Sequence, residues 1–208
     1  MPVKPHAPSK AAGSRGTPSR GARSRQLRII AGQWRGRRFR FPDQAIRPTP
    51  DRVRETLFNW LQGRVAGARV LDLFAGSGAL GLEALSRGAA DAVFVESDAV
   101  TARALSDLLR SWQATGARVE RTEAARFLAS QPAQGFDLVF LDPPFAAGEL
   151  AGAADRLAAG GWLKPGALVY IEHARREPLP ALPGGWTEQR SGIAGEVGYH
   201  LFHHDQLP

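Results

Sequence analysis

The sequence predicts an α/β fold built on an open, mostly parallel β-sheet of seven strands, and three observations support this prediction. From residue 68 onward, strand patterns and helix patterns alternate along the chain. Predicted strands contain continuous apolar runs, such as residues 139–141, which is typical of strands covered by helices on both faces. The last two predicted strands are separated only by residues 191–196, too few for a helical crossover, so we expect an antiparallel hairpin at the edge of the sheet.

The length and composition fit one domain of ordinary size. The chain has 208 residues, 43% of them apolar, and contains no cysteine. The lack of cysteine excludes disulfides, zinc–thiolate sites and thiol chemistry. No apolar stretch approaches the roughly 18 residues that a membrane span needs, and the N-terminus lacks the apolar stretch of a secretory signal. We therefore expect a soluble cytoplasmic protein that makes no membrane contact.

The charge is concentrated at the front of the chain. Residues 1–42 contain eleven basic residues and no acidic one, whereas the other 166 residues contain 16 basic and 20 acidic ones. A cationic arm on a mildly acidic body favours a polyanionic partner, nucleic acid before membrane. The alternative interpretation is a solubilising tail without a partner.

The N-terminal segment divides into a tail and an arm. Residues 1–25 are mainly Ala, Gly, Ser, Pro, Lys and Arg, which predicts a disordered basic tail, and order is expected to begin near Leu27. Residues 26–48 form the arm, in which Leu27–Ala31 and Arg37–Phe41 flank a glycine-containing turn and predict a β-hairpin. On its second strand the aromatic side chains share one face and the arginines share the other. These residues are Phe39 and Phe41, and Arg38 and Arg40, respectively.

The main domain, residues 49–208, is expected to begin with a helix. Thr49 suits the N-cap position, Pro50 suits the first helical position, and the carboxylate of Asp51 suits the positive end of the helix dipole. The apolar residues that follow form one buried stripe at helical spacing. They are Val53, Leu57, Trp60 and Leu61.

The remaining elements follow from hydrophobic periodicity. We predict strands over residues 68–74, 92–96, 118–121, 136–142 and 167–172, and helices over residues 79–87, 99–115, 124–130 and 150–159. The edge hairpin pairs residues 186–190 with residues 197–203.

A glycine-rich loop follows the first strand of this alternation. Gly76, Gly78 and Gly81 match G-x-G-x-x-G between a strand and a helix, where backbone amides can approach a cofactor closely. Glu96 ends the next strand, where a ribose diol lies in doubly wound folds. The loop alone does not distinguish a dinucleotide from S-adenosylmethionine. Asp72 favours the latter, because its carboxylate would attract a methionyl ammonium group and repel a pyrophosphate.

The segment Asp142-Pro143-Pro144-Phe145 follows a buried strand at the edge where open α/β sheets bind ligands. The two prolines remove two amide donors, so the backbone offers carbonyl acceptors there. A carboxylate and a carbonyl together can hold the hydrogens of an exocyclic amine and direct its lone pair toward a methyl group. Phe145 offers a face on which a base can stack.

Longer stretches of the chain resemble one family. The Asp-Pro-Pro-Phe segment together with the loop at residues 74–78 is similar to amino-methyltransferases. The stretches Arg28–Arg37 and Arg47–Leu61 resemble the bacterial RsmD 16S rRNA methyltransferases in particular. The resemblance runs from about Arg28 to about His203 and excludes the basic tail.

This resemblance implies a Rossmann-like class I methyltransferase fold and S-adenosylmethionine-dependent methylation of the N2 amine of a guanine, position 966 of 16S rRNA. The family usually has Asp or Asn near the adenine where this chain has Glu123, one methylene longer. The implied catalytic residues are Asp142, Pro143, Pro144 and Phe145. The implied cofactor-binding residues are Asp72, Phe74, Gly76, Ser77, Gly78, Glu96, Ser97, Glu123 and Ala124.

The implied partner is 16S rRNA, in the small ribosomal subunit or an assembly intermediate, and we expect a monomer. Arg52 could instead form an i,i+3 helix pair with Glu55. No metal is expected, because His200 and His203 would face opposite sides of the predicted edge strand. The residues expected to contact RNA are Arg28, Arg35, Arg37, Arg38, Arg40, Arg47, Arg52 and Arg54.

Three alternative functions remain open at the level of the sequence. An adenine-N6 DNA methyltransferase would use the same two acceptors, although the hairpin and the Arg47–Leu61 stretch argue against it. A non-catalytic S-adenosylmethionine-binding protein of RNA or ribosome assembly would not need an intact Asp-Pro-Pro-Phe segment. A nicotinamide oxidoreductase is supported only by the glycine-rich loop.

Overall fold

A computed structural model of the chain describes residues 24–42, 49–130, 135–144 and 148–205. Residues 1–23 of the predicted tail lie outside this part of the chain, as do Arg47 and Phe145. The elements are β1 (Ser24–Arg28), β2 (Arg38–Pro42), α1 (Asp51–Trp60), β3 (Arg69–Asp72), α2 (Ala79–Ser86), β4 (Asp91–Val95), α3 (Ala99–Ser111), β5 (Ala117–Glu120), α4 (Ala124–Ser130), β6 (Phe136–Leu141), α5 (Glu149–Ala159), β7 (Leu163–Ala174), β8 (Trp186–Ala194) and β9 (Val197–His204).

Strands β3 to β9 form one seven-stranded sheet in the order β5-β4-β3-β6-β7-β9-β8. Strands β3 to β7 are parallel, whereas β9 runs antiparallel to both β7 and β8. This confirms the predicted fold class and the antiparallel hairpin at the edge. From β3 the chain builds outward through β4 and β5 and then returns to β6 on the other side of β3. The carboxyl ends of β3 and β6 therefore form the topological switch point, where open α/β sheets bind ligands.

The two faces of the sheet are covered by different helices. Because successive strand residues point to opposite faces, Val70 packs with the apolar residues of α1, α2 and α3, whereas the neighbouring Leu71 packs with those of α4 and α5. Every residue of α2 is buried, because the sheet covers one side of this helix and the N-terminal hairpin lies against its C-terminal end.

Strands β1 and β2 form the predicted N-terminal hairpin, with Leu27 paired to Phe39. The turn between them docks on the last residue of α2: the N–H of Gln33 donates to the Ser86 carbonyl (2.7 Å), and the N–H of Trp34 donates to Ser86 Oγ (3.0 Å). Gly32 is required here, because its φ is +82° and an added Cβ would lie 1.8 Å from the Ser86 carbonyl oxygen.

The buried carboxylate of Glu83 in α2 binds the hairpin and pairs with Arg54 of α1, and this arrangement corrects one prediction. The Glu83 carboxylate accepts from the N–H groups of Ile30 (2.8 Å) and Ala31 (2.9 Å) and from Arg87 Nε (2.8 Å). Arg54 Nη1 lies 3.7 Å from the same carboxylate, and both side chains are fully buried. The prediction that Arg54 contacts RNA is therefore wrong, because its guanidinium lies inside the protein.

Some predicted boundaries also differ from the structure. Strand β1 begins at Ser24, three residues before the expected start of order at Leu27. Helix α3 ends at Ser111 instead of residue 115, because Gln113 takes a left-handed conformation with φ +52°. Strand β7 begins at Leu163 instead of residue 167, because Leu163 already pairs with Phe136 of β6.

Thr49 does not cap α1. Pro50 occupies the N-cap position, and no side chain caps the helix there. The Thr49 hydroxyl instead donates to Glu172 of β7. The sequence predicts Thr49 at the N-cap, but in the structure it lies one position earlier, and its hydroxyl bonds to a residue distant in sequence.

Candidate active site

A cavity of about 720 Å³ opens at the carboxyl edge of the sheet, between β3 and β6. It brings together three segments that are distant in sequence: the glycine-rich loop, the end of β4 with the start of α4, and the Asp-Pro-Pro segment. The predicted site residues that line it are Asp72, Phe74, Gly76, Ser77, Glu96, Ser97, Glu123, Ala124, Asp142, Pro143 and Pro144.

Gly78 is the exception among the predicted cofactor residues that the structure describes, because it does not line the cavity. It precedes α2 with φ +73°, and an added Cβ would lie 2.6 Å from Leu105 Cδ1 of α3. Gly81 lies similarly close to the sheet, since its Cβ would lie 2.3 Å from Phe94 Cε1. Both glycines therefore allow close packing of α2, and Gly76 is the glycine that borders the cavity.

Glu96 is held rigidly at the cavity wall. Its Oε2 accepts from the Gly76 N–H (2.8 Å), and its Oε1 accepts from the Asp98 N–H (2.7 Å). Asp98 in turn caps α3 by accepting from the Thr101 N–H (2.8 Å). These bonds tie the glycine-rich loop to the start of α3 and fix the carboxylate, which can accept further hydrogen bonds through its remaining lone pairs.

Asp72 lies at the base of the same cavity and is almost completely buried. Its Oδ2 accepts from the Gly81 N–H (3.0 Å) in the first turn of α2. Burial is the main cause that raises the pKa of this carboxyl to about 7; the Gly81 hydrogen bond opposes the shift, and the negative charges of Glu96 and Glu172 contribute to it. A cation bound beside Asp72 would favour its ionised form.

Four side chains form a hydrogen-bonded group next to Asp72. The parallel pairing of β6 with β7 places Leu141 beside Ile171, so Asp142 and Glu172 follow at neighbouring strand positions. The Thr49 hydroxyl donates to Glu172 Oε1 (2.7 Å) and lies 3.4 Å from Asp142 Oδ2. The Tyr170 hydroxyl donates to the same Glu172 oxygen (2.8 Å).

These contacts perturb the titration of the group. Burial raises the pKa of Asp142 well above its ordinary value, and the charges of Glu172 and Asp72 add to this effect, whereas the hydrogen bond with Thr49 lowers the pKa. Burial also raises the pKa of Tyr170, with the charge of Glu172 as the next largest cause. Perturbed carboxyls of this kind, inside a cleft, are typical of catalytic sites.

Sequence reasoning missed Thr49, Tyr170 and Glu172 as site residues. A signal for Glu172 was present, because it ends the predicted strand 167–172 at the same edge as Asp142. Thr49 was interpreted as a helix cap, and this interpretation left out a role for its hydroxyl in the site. Tyr170 carried no separate signal, since a tyrosine inside an apolar strand is also typical of a core residue.

The cavity lining is strongly acidic, and this favours one of the two cofactor classes that the glycine-rich loop allows. Arg156 is the one Lys or Arg among the described residues that line it. A ligand that carries a sulfonium and an ammonium group suits such a lining, whereas a dinucleotide would bring two phosphate charges into it. The acidic residues of the lining are Asp72, Glu96, Asp98, Glu123, Asp142 and Glu149.

Several arginine side chains of the hairpin and one of α1 are exposed, and we call this set the arginine surface. Arg37 stacks over Trp112 of α3, with its guanidinium carbon 5.5 Å from the ring centre. Arg28 lies at the border, half-exposed in an ion pair with Asp51 (2.9 Å). The alternative helix pair between Arg52 and Glu55 is not among the ion pairs of the described residues. The arginine surface consists of Arg35, Arg37, Arg38, Arg40 and Arg52.

Within the ranges that the structure describes, no group of three or more His, Cys, Asp or Glu side chains is placed to hold a metal ion. No helix of the described chain has the length and apolar character to cross a membrane.

The chain is similar to known proteins over most of its length. Residues 27–203 match the family model described as conserved hypothetical protein 95. Ribosomal RNA small subunit methyltransferase D of Escherichia coli K12 is 48% identical over 180 residues, which cover 86% of this chain and 90% of that protein. The protein of the same name from Haemophilus influenzae is 41% identical over 181 residues, covering 85% and 93%. The solved structure of Escherichia coli yhhF has a TM-score of 0.82 at 44% identity, covering 88% of this chain and 99% of that one.

Proposed function

The chain belongs to the RsmD family of small-subunit ribosomal RNA methyltransferases, and from this we propose that it methylates the exocyclic N2 amine of a guanine in 16S rRNA with S-adenosylmethionine. The guanine is the one at position 966 that the family resemblance implies. The observation that carries the proposal is the convergence of Asp142-Pro143-Pro144 with Gly76 and Glu96 in a single cavity at the switch point of the sheet.

The cofactor site is proposed on the wall formed by β3, β4 and α4. S-adenosylmethionine, when bound, supplies a methyl group on a positively charged sulfur. Glu96, fixed by two backbone N–H groups, is oriented to accept from a ribose hydroxyl. Asp72 supplies negative charge for the methionyl ammonium group. Glu123 and Ala124, where α4 begins, are assigned to the adenine.

Asp142 and the backbone carbonyls of the proline segment are assigned to the target amine. The lone pair of a guanine N2 is conjugated with the ring, which makes the amine a poor nucleophile. Two acceptors that hold its two hydrogens favour a pyramidal nitrogen and aim its lone pair at the methyl group. Pro143 and Pro144 lack N–H groups, so this segment offers acceptors only. The Asp142 carboxylate takes the proton that the nitrogen releases, and Phe145, outside the described residues, is assigned to stack on the base.

The arginine surface is assigned to the RNA backbone. Its side chains are exposed, and arginine suits phosphate because the guanidinium offers several donors in one plane. The target base must leave its stack to reach the cavity, so we expect a loop or a flipped-out guanine as substrate.

Transfer of labelled methyl from S-adenosylmethionine tests the function. Small subunits from a strain that lacks the modification, naked 16S rRNA and duplex DNA are offered in parallel. We expect label on one guanine N2 of the subunit or of the rRNA. Label on DNA adenine would instead support the DNA methyltransferase, and no label with cofactor still bound would support a non-catalytic binding protein.

The variant Asp142→Ala tests the catalytic assignment. Loss of the proton acceptor is expected to lower kcat about 100-fold or more, with little change in cofactor affinity. Asp137→Ala is the matched control, since it removes a carboxylate from the opposite end of β6, where Asp137 pairs with Lys164. Near-normal turnover by Asp142→Ala would overturn the assignment.

A further inference from the structure

The hydroxyl group of Thr49 lies between two carboxylates that come from different strands. It donates to Glu172 Oε1 at 2.7 Å and lies 3.4 Å from Asp142 Oδ2. Thr49 is 4% exposed and Glu172 is 2% exposed, so neither side chain can exchange these partners freely for water. A hydroxyl has one hydrogen to donate, and rotation about the Cβ–Oγ bond can direct it to Glu172 Oε1 or to Asp142 Oδ2.

We propose that Thr49 and Glu172 are positioning residues for Asp142: together they set the orientation and the charge with which its carboxylate receives the proton from the substrate amine. This inference rests on the proposed function, because it assigns roles in the same methyl-transfer step. Neither residue touches the target base in this proposal. They act through Asp142 alone.

The proton balance shows why Asp142 needs such control. The nitrogen lone pair forms the new N–C bond, and the electrons of the broken S–C bond stay on sulfur. The nitrogen becomes positively charged and then loses one hydrogen as a proton to the Asp142 carboxylate. Asp142 must therefore be ionised before transfer although it lies in a buried, acidic environment.

Thr49 and Glu172 act on that ionisation in opposite directions. Hydrogen bonding with the Thr49 hydroxyl favours the carboxylate form of Asp142, whereas the negative charge of Glu172 disfavours it. Among the described residues, the other titratable groups that act on this cluster include Asp72 of β3, Tyr170 of β7 and Tyr199 of β9. The Tyr170 hydroxyl donates to the same Glu172 oxygen as Thr49 and so disperses part of the Glu172 charge.

Because Thr49 and Glu172 act in opposite directions, their variants should shift the pH profile in opposite directions, which residues with a purely structural role would not do. The measurement is the pH dependence of kcat with saturating subunit and S-adenosylmethionine, together with the Kd for S-adenosylmethionine by calorimetry. Thr49→Val removes the hydroxyl and is expected to lower kcat about 10- to 100-fold near neutral pH and to move the acid limb of the profile to higher pH. Glu172→Gln removes the negative charge and is expected to move the acid limb to lower pH. The Kd for S-adenosylmethionine should change less than about threefold in either variant.

Two further variants complete the design. Thr49→Ser keeps the hydroxyl and is expected to restore most of the wild-type rate and the wild-type acid limb. Thr56→Val makes the same substitution on the exposed side of α1, where the Thr56 hydroxyl bonds only to the Arg52 carbonyl (2.9 Å), and should leave the profile unchanged. Thermal denaturation identifies any variant that does not fold. If Thr49→Val is unfolded, the Glu172→Gln shift and the Thr49→Ser rescue still decide the question.

The possible outcomes separate this inference from the proposed function. Opposite shifts of the acid limb support the positioning pair. Profiles that coincide with wild type for both Thr49→Val and Glu172→Gln, or shifts in the same direction, overturn it while leaving methyl transfer intact. Failure of the wild-type protein to methylate any guanine N2 would instead overturn the proposed function.

Discussion

At the scale of single residues, the candidate active site is defined by carboxyl groups that the fold removes from water. Asp72, Asp142 and Glu172 belong to the carboxyl ends of three adjacent strands, β3, β6 and β7. Burial of like charges costs stability, so the arrangement is difficult to explain as packing. It is reasonable for a site that must attract a cation and accept a proton.

The effect of a buried carboxyl on the free energy of unfolding can be measured at Asp72. Because the pKa of Asp72 is about 7 in the folded protein and about 3.8 as a free side chain, the folded form binds the proton more tightly. The resulting contribution to stability is complete below pH 4 and is lost as the pH rises toward 7. Asp72→Asn removes that dependence and can still accept from the Gly81 N–H. The difference in the free energy of unfolding, variant minus wild type, should therefore increase by about 1.4 kcal/mol for each pH unit between pH 5 and 7.

Urea denaturation at several pH values checks this expectation, and a constant difference between variant and wild type would contradict it. The same variant lacks the charge assigned to the methionyl ammonium group. Its affinity for S-adenosylmethionine at pH 8, measured by calorimetry, should therefore fall about 10- to 100-fold. A more stable protein that binds the cofactor less well is the expected signature of a functional carboxylate.

At the scale of elements, the N-terminal hairpin depends on α2 for its position. Its turn is bound at Ser86 and by the Glu83 carboxylate, and its aromatic face packs on Trp112 at the end of α3, 5.1 Å from Trp34 and 5.8 Å from Phe39 between ring centres. The glycine-rich loop borders the other end of α2. One helix therefore carries part of the proposed cofactor site at its start and the proposed RNA arm at its end.

Glu83→Gln tests this dependence. The substitution removes the buried negative charge that faces Arg54 and Arg87, although Arg54 keeps its ion pair with Asp51 (2.6 Å). It also weakens the bonds to the N–H groups of the hairpin, so the free energy of unfolding should fall by about 3–5 kcal/mol. Asp107→Asn is the control, because it breaks an exposed pair with Arg110 and should cost less than about 1 kcal/mol. Urea denaturation measures both. Equal, small losses would show that the buried ion pair does not hold the hairpin.

At the scale of the whole molecule, opposite charges are kept apart. The basic residues at the front of the chain contribute the arginine surface, whereas the cavity is lined by six acidic residues and one arginine among the described residues. This division suits the proposed function, in which a cationic cofactor binds in the cavity and an anionic RNA binds on the arginine surface. The overall charge of +7 conceals this division.

Reversal of charge on the hairpin tests the RNA assignment. The triple variant with Arg37, Arg38 and Arg40 changed to Glu should weaken binding of the rRNA substrate and reduce the salt dependence of that binding, while the affinity for S-adenosylmethionine stays the same. The matched control changes Arg103, Arg110 and Arg118, which are also exposed, to Glu. Fluorescence titration at several salt concentrations measures the binding. An equal loss in both triple variants would indicate a general charge effect, and a loss of cofactor affinity would indicate misfolding.

The sequence by itself determined the features that depend on local pattern. Hydrophobic periodicity located each strand and helix of the sheet domain, and the face alternation of the hairpin followed from the order of Phe39, Arg40 and Phe41. The meeting of the glycine-rich loop with Asp142 was also predictable, because both follow parallel strands whose carboxyl ends share one edge.

The tertiary structure alone decided which partner each polar side chain has. Arg54 and Arg52 lie two positions apart in a basic stretch, yet only the packing of α1 against α2 shows that one is buried against Glu83 and the other is exposed. Thr49 has the sequence context of a helix cap, but β7 brings Glu172 within hydrogen-bond distance of it. Such partners are set by contacts between residues more than 25 positions apart, and no local pattern in the chain specifies them.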